Sequence, residues 1–379
     1  MTRRLATLLL PLLAVGAVAQ TFVVDEANGP GANFTDLPAA VLAVPNGAVL
    51  LVRPGNYQSP SLGAKTLTLL GEPGANLQPT GLAGGLTISF LGPNQTILVR
   101  GFTFSGPIGL GNFTVDCQQC QGAVVLEQLS GPSGILSRLD ATSCDRLLVR
   151  NCVFRRSSRL RDCNTVLQDC TIAPLGPEGI EALRVTRGTT QVIGGTLQGA
   201  AGNLNRGGPA VLSDNAALRV LGTGTLAGGQ GVPAGFAVAG TGTVRVDPAV
   251  AVSGANPPFA VGVQATVAPQ AWVVASDPVL GNPVNVELRG PLGDLGALGV
   301  GFPGASHAVP GVTDRLFWNG STAVTQAIGV VQAGAPVAAV VTLPNQQSLL
   351  GLQLVWHGVT FAAANGLQVS PPAWYVARL

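Results

Sequence analysis

Residues 138–187 hold nine arginines and six carboxylates, although only 10% of the 379 residues are charged. Asp145, Asp162 and Asp169, with Arg150 among them, are side chains that could move a proton and stabilise the charge left behind. Arg155, Arg156, Arg159 and Arg161 would grip an anionic substrate through forked guanidinium hydrogen bonds. Asp140, Glu178 and Glu181 lie in the same stretch and could approach these groups on successive turns of a repeat. The plainer reading, which the sequence favours, is a solvated face. On such a face Arg and Asp pair across strands, each pair contributing about 0–1 kcal/mol.

Six cysteines form the second chemical set. Cys117-Gln118-Gln119-Cys120 has the spacing of a redox pair or half a zinc site. There is no second such pair, and the two histidines, His307 and His357, lie far away in sequence, so no metal site is expected. In an exported chain the cysteines point instead to disulfides. Cys152 and Cys170 each fall five residues after the start of a repeat copy, which makes a Cys152–Cys170 bridge the first expectation. Cys144–Cys163 follows, leaving Cys117 and Cys120 as a local pair.

Export is inferred from the N-terminus. Arg3 and Arg4 precede an apolar core at residues 5–16, and Ala17-Val18-Ala19 supplies the small-x-small cleavage pattern, so residues 1–19 read as a signal peptide. The expected location is extracellular, periplasmic or at the cell surface. No later stretch is long and apolar enough for a transmembrane helix. Without the two leader arginines the chain carries 18 basic and 18 acidic residues, which offers no electrostatic footprint for nucleic acid. The arginine bias, with a single lysine at Lys65, suggests a GC-rich bacterial genome.

The elements that would position these groups are short strands. There are 52 glycines and 28 prolines, which suit many tight turns and argue against long helices. One strand pattern returns as Ile97-Leu98-Val99-Arg100, Leu147-Leu148-Val149-Arg150, Thr165-Val166-Leu167-Gln168, Thr190-Gln191-Val192-Ile193 and Arg219-Val220-Leu221. Weaker copies start near Ala123 and Val244, giving a period near two dozen residues, the mark of a stacked solenoid. Before it, Leu37, Ala40, Val41 and Val44 fall on one helical face, with Thr35 as a candidate cap and Pro38 in the first turn. That helix would close the open end of the stack.

Val52-Arg53-Pro54-Gly55-Asn56-Tyr57, after this helix, resembles the opening of the right-handed parallel β-helix proteins of the pectin lyase-like superfamily. The resemblance covers about residues 20–265 and implies an all-β, right-handed parallel β-helix solenoid. Its uronate-cleaving members imply carboxylates, sometimes holding calcium, with an arginine at the proton α to the carboxyl. Its esterases imply paired aspartates oriented by an arginine. The departures are specific. Ser59 stands where the esterase pattern has Glu, and Cys170 follows Gln168-Asp169 where it has Thr. The glycosidase motifs are missing too; Trp356-His357-Gly358 is no match.

Residues 266–379 change character. All four tryptophans, Trp272, Trp318, Trp356 and Trp374, lie there, and Leu350, Leu352, Leu354 and Trp356 alternate cleanly, as in an antiparallel β-sandwich. Those rings could form a sugar-stacking platform, although core burial is the commoner fate of such a Trp. The leading functional expectation is a non-catalytic protein presenting a lateral face to a polysaccharide or a surface protein, with no cofactor. The alternatives are a divergent polysaccharide lyase, hydrolase or esterase, with calcium only in the lyase case, and a structural envelope component.

Overall fold

A computed structural model describes residues 20–377, apart from 80–83, 105–111, 132–135, 176–179, 203–205, 309–314, 319–321, 347–348, 350 and 363–365. Residues 1–19, where a signal peptide is expected, and Glu178 therefore lie outside the described residues. The chain winds into a parallel β-solenoid of about nine turns, followed by antiparallel sheets.

Each coil is made from a strand that bends once. Leu136–Arg150 runs as one 15-residue strand, turning at Ser143, whose φ is 56°. Asn112–Glu127, Ser158–Gln168, Leu183–Ile193 and Val211–Leu221 bend likewise at Gln119, Asp162, Arg187 and Asn215. A left-handed residue at each bend turns the chain, so one strand supplies two faces of the coil. A third, short face comes from Val153–Phe154, Thr171–Ile172, Thr196–Gln198, Thr225–Ala227 and Ala251–Ser253.

Inside, side chains stack in columns. Phe22, Leu50, Leu69, Val99, Leu126, Val149, Leu167, Val192, Val220, Val246 and Val267 follow one another in register from coil to coil. From Leu50 to Val246 every member is buried, which makes the column one continuous core.

Outside, two faces differ. Before the bend the strands alternate strictly, with Phe113, Val115 and Cys117 inward and Thr114, Asp116 and Gln118 outward. After the bend they do not. Val49, Leu70, Leu98, Val125, Leu148, Val166, Ile193 and Leu221 point outward yet are buried against Val355, Trp374, Val376 and the half-buried Trp272. The C-terminal domain is docked on this face, so these strands read as unbroken apolar runs.

The N-terminal end is closed. The helix Leu37–Ala43 buries Leu37, Ala40 and Val41 in the solenoid core. Its cap is Asp36 rather than Thr35: Pro38 sits in the first turn, and the Asp36 carboxylate accepts the Ala39 amide at 3.1 Å. Tyr57 locks the following turn, its hydroxyl accepting from the Glu26 amide at 3.1 Å and donating to the Arg53 carbonyl at 3.0 Å.

The last parallel strand is Val263–Val267, and the first antiparallel one is Trp272–Ala275. Two antiparallel sheets, one of three strands and one of five, share a core that includes Val284, Val286, Leu288, Leu298, Trp356 and Tyr375.

The expected disulfides are not formed; all six cysteines are buried free thiols. Cys152 and Cys170 do stand on neighbouring strands, immediately before the paired residues Val153 and Thr171. Side chains stacked in a parallel ladder keep the strand spacing of about 4.8 Å. A bridge wants its Cβ atoms nearer 3.8 Å. Each thiol instead faces backbone carbonyls, Cys152 that of Arg150 at 3.2 Å and Cys170 that of Val149 at 3.3 Å. Cys144 lies between Cys120 and Cys163 rather than pairing with one of them, and Cys117 is in register with Ala141.

Candidate functional site

Outward positions on the undocked face form columns of their own. Ser61, Thr87, Asp116, Asp140, Arg159 and Arg184 follow in register on successive coils. Beside them run Ser89, Gln118, Thr142 and Arg161, and on the other side Gly85, Thr114 and Arg138. Between these columns lies a lateral cleft of about 450 Å³, walled mostly by polar side chains, Ser59 among them.

The cleft centres on two carboxylates. Asp116 and Asp140 are in register on adjacent strands, so their backbones are about 4.8 Å apart. Gln118 donates to Asp116 Oδ2 at 2.7 Å, and Arg138 Nη2 meets Asp140 Oδ2 at 2.9 Å. Burial holds the Asp116 carboxyl above its ordinary value, and the charge on Asp140 adds to that effect. Asp140 Oδ1 is buried without a hydrogen-bond partner among the described residues. Arg159 and Arg161 are exposed beyond the pair. The arrangement can accept hydrogen bonds from hydroxyl groups at its centre and bind carboxylates at its arginine end.

The candidate residues read from the sequence are divided by the fold. Arg159 and Arg161 reach the cleft. Asp145 is exposed at the start of the docked-side leg, beyond the bend. Asp162 sits on the bend itself, where both its oxygens accept from Arg187 at 2.6 Å. Asp169 marks a different corner, with φ 50°. Arg155 and Arg156 follow the short face, their amides donating to the Ser137 carbonyl at 2.9 and 3.0 Å. Arg150 is buried under the C-terminal domain, stacked 4.0 Å above the Tyr375 ring and paired with Glu127 and Asp277. Arg150 and Asp169 thus come within electrostatic reach of each other beside Tyr375, whereas Asp145 and Asp162 stand on other parts of the coil.

Asp116, Gln118 and Thr114 were missed because they precede the charged belt. Their signal is the spacing of Thr114-Val115-Asp116-Cys117-Gln118 against Arg138-Leu139-Asp140-Ala141-Thr142, a polar–apolar alternation that aligns position by position.

No aromatic ring lines the cleft among the described residues. Trp356 and Trp374 are buried, and Trp272 packs at the domain junction. Those three rings offer no exposed stacking platform. No helix among the described residues is long and apolar enough to cross a membrane. Compared with known protein families and with curated proteins, the sequence matches none of them.

Proposed function

We propose that the chain is an exported solenoid that binds an extended acidic polysaccharide along its undocked face, without cleaving it. We further propose that it belongs with the right-handed, pectin lyase-like β-helix proteins that it resembles around Val52–Tyr57. One observation carries the binding reading: the polar cleft in which Asp116 and Asp140 are followed, in register, by Arg159. A polysaccharide runs as an extended chain, and the stacked coils offer it a contact at each rung, hydroxyl, carboxylate and guanidinium in turn. The two carboxylates take hydroxyl donors, while Arg159 and Arg161 take carboxylates.

A second reading rests on the same pair. Neighbouring carboxylates whose environments push their proton affinities apart can divide acid and base roles. Burial holds the Asp116 carboxyl above its ordinary value, which suits it to the acid role beside the second carboxylate, Asp140.

Affinity electrophoresis in gels containing polygalacturonate, alginate or a neutral glucan, with and without calcium, separates these readings. Binding predicts retardation by an acidic polymer that is lost in the double variant Arg159→Ala/Arg161→Ala. Release of new chain ends by the wild type, abolished by Asp116→Asn, would replace binding by cleavage. Neither retardation nor products would leave a structural envelope role.

A further inference from the structure

The two ends of the solenoid are finished differently. At the N-terminal end, the outer edge of the strand Thr21–Val24 is already occupied. The Val23 amide donates to Asn33 Oδ1 at 2.8 Å, and the Asn33 amide returns a bond to the Val23 carbonyl at 2.8 Å. Phe22 packs on Phe34, ring centres 6.1 Å apart, and the helix Leu37–Ala43 covers the core beside them.

At the C-terminal end nothing comparable is found among the described residues. Val267 continues the inward column after Val220 and Val246, which are 2% and 1% exposed, yet Val267 itself is 61% exposed. Val252, Phe259 and Val263 pack on the core but are only partly covered. The strand Val263–Val267 pairs on one side, with Val238–Val246, and is the last in its sheet. The Ala268 amide donates back to the Val246 carbonyl, so by strand alternation Ala265 and Val267 turn their backbone groups to the free edge. Exposed strand edges are usually blunted by charge or proline. Here no ionisable side chain occurs between Asp247 and Asp277, and no proline between Pro258 and Pro269.

We propose that this open rung is a self-association surface, at which two copies of the chain pair Val263–Val267 antiparallel across a two-fold axis. A two-fold axis normal to the sheet keeps inward side chains inward, so Val267 and its mate join the two cores into one. Head-to-tail stacking lacks its second surface, because the N-terminal edge is satisfied by Asn33 and Phe34. Association therefore closes at two copies rather than growing into a fibre. An uncharged edge is complementary to its own copy and carries no like-charge repulsion against it.

Sedimentation velocity on the mature protein, from nanomolar to tens of micromolar, tests this together with Val267→Lys and Ala265→Pro. Val267 is exposed in the single copy, and Ala265→Pro removes only a donor on the free edge, so both variants should keep the wild-type circular dichroism. The wild type should convert from one copy to two. Each variant should weaken that conversion by about tenfold or more. A wild type that stays single over the whole range would overturn the proposal. So would a pair that persists in both variants, or assemblies that grow beyond two. Should one variant misfold, the other decides.

Discussion

The guanidinium of Arg150 joins Glu127, on the preceding coil, to Asp277 of the C-terminal domain. Arg100 approaches the same glutamate from the other side at 3.6 Å, so Arg100, Glu127 and Arg150 form a buried charge ladder along one outward column. Removing Arg150 breaks its charge-assisted bonds to Glu127 and Asp277, while Arg100 stays beside the glutamate. Arg150→Met should lower unfolding stability by about 1.5–3 kcal/mol. Asp277→Asn should cost less, because that carboxylate is 24% exposed. Urea titration checks both, and a wild-type midpoint for Arg150→Met would remove the ladder as a stabilising element.

Asp169 is a corner residue. Asn151, Asp169, Gly194 and Gly222 occupy one corner on successive coils, with φ of 50°, 50°, 65° and 70°. Their amides continue the ladder, Asp169 donating to Ile193 and Gly194 to Leu221, each at 2.9 Å. A β-branched residue resists the left-handed region, so Asp169→Val should cost about 1–2 kcal/mol, while Asp169→Gly should be nearly neutral. Polysaccharide retardation should be unchanged in Asp169→Gly. Loss of retardation in that variant would move the ligand to this corner.

The solenoid was legible because its repeats fall at strand-like intervals, but the sequence showed more than its period. Runs such as Ile97-Leu98-Val99 and Leu147-Leu148-Val149 do not alternate, which means that both of their sides are buried. The run names no covering partner, since Val355, Trp374 and Val376 lie more than 200 residues away. The cleft was half legible. Arg159 and Arg161 stood out as charge, whereas Asp145, Asp162 and Asp169 did too and are dispersed by the bends. Placing them needs the bend positions, and those are held by Gln119, Ser143, Asp162 and Arg187, residue types that do not announce a left-handed turn as glycine does. The cysteine register was readable as well; the unformed bridges reflect ladder spacing, which a sequence does not display.

The thiols give a direct chemical test. All six are buried, so reagent cannot reach them in the folded chain: burial pushes Cys117 and Cys152 up, and Cys120 and Cys163, which the hydrogen bond with Cys144 lowers, are enclosed as well. Native protein should take up no iodoacetamide. Protein unfolded in urea without reductant should take up six alkyl groups. Mass spectrometry reads the count, and each missing pair would mark a bridge between neighbouring coils.

His357 should make the C-terminal domain sensitive to acid. It is fully buried, with Nδ1 3.2 Å from the Ser370 carbonyl, and burial lowers its pKa from 6.5 to about 4. Between those values the unfolded chain binds a proton that the folded one refuses. Stability from this group is therefore complete above pH 6.5 and declines as pH falls toward 4. The gap corresponds to about 3 kcal/mol. Urea unfolding at pH 7 and pH 4.5 should show that loss in the wild type and a smaller one in His357→Gln. An equal decline in both proteins would assign the acid sensitivity to other groups, because only the wild type carries the imidazole that must be charged on unfolding.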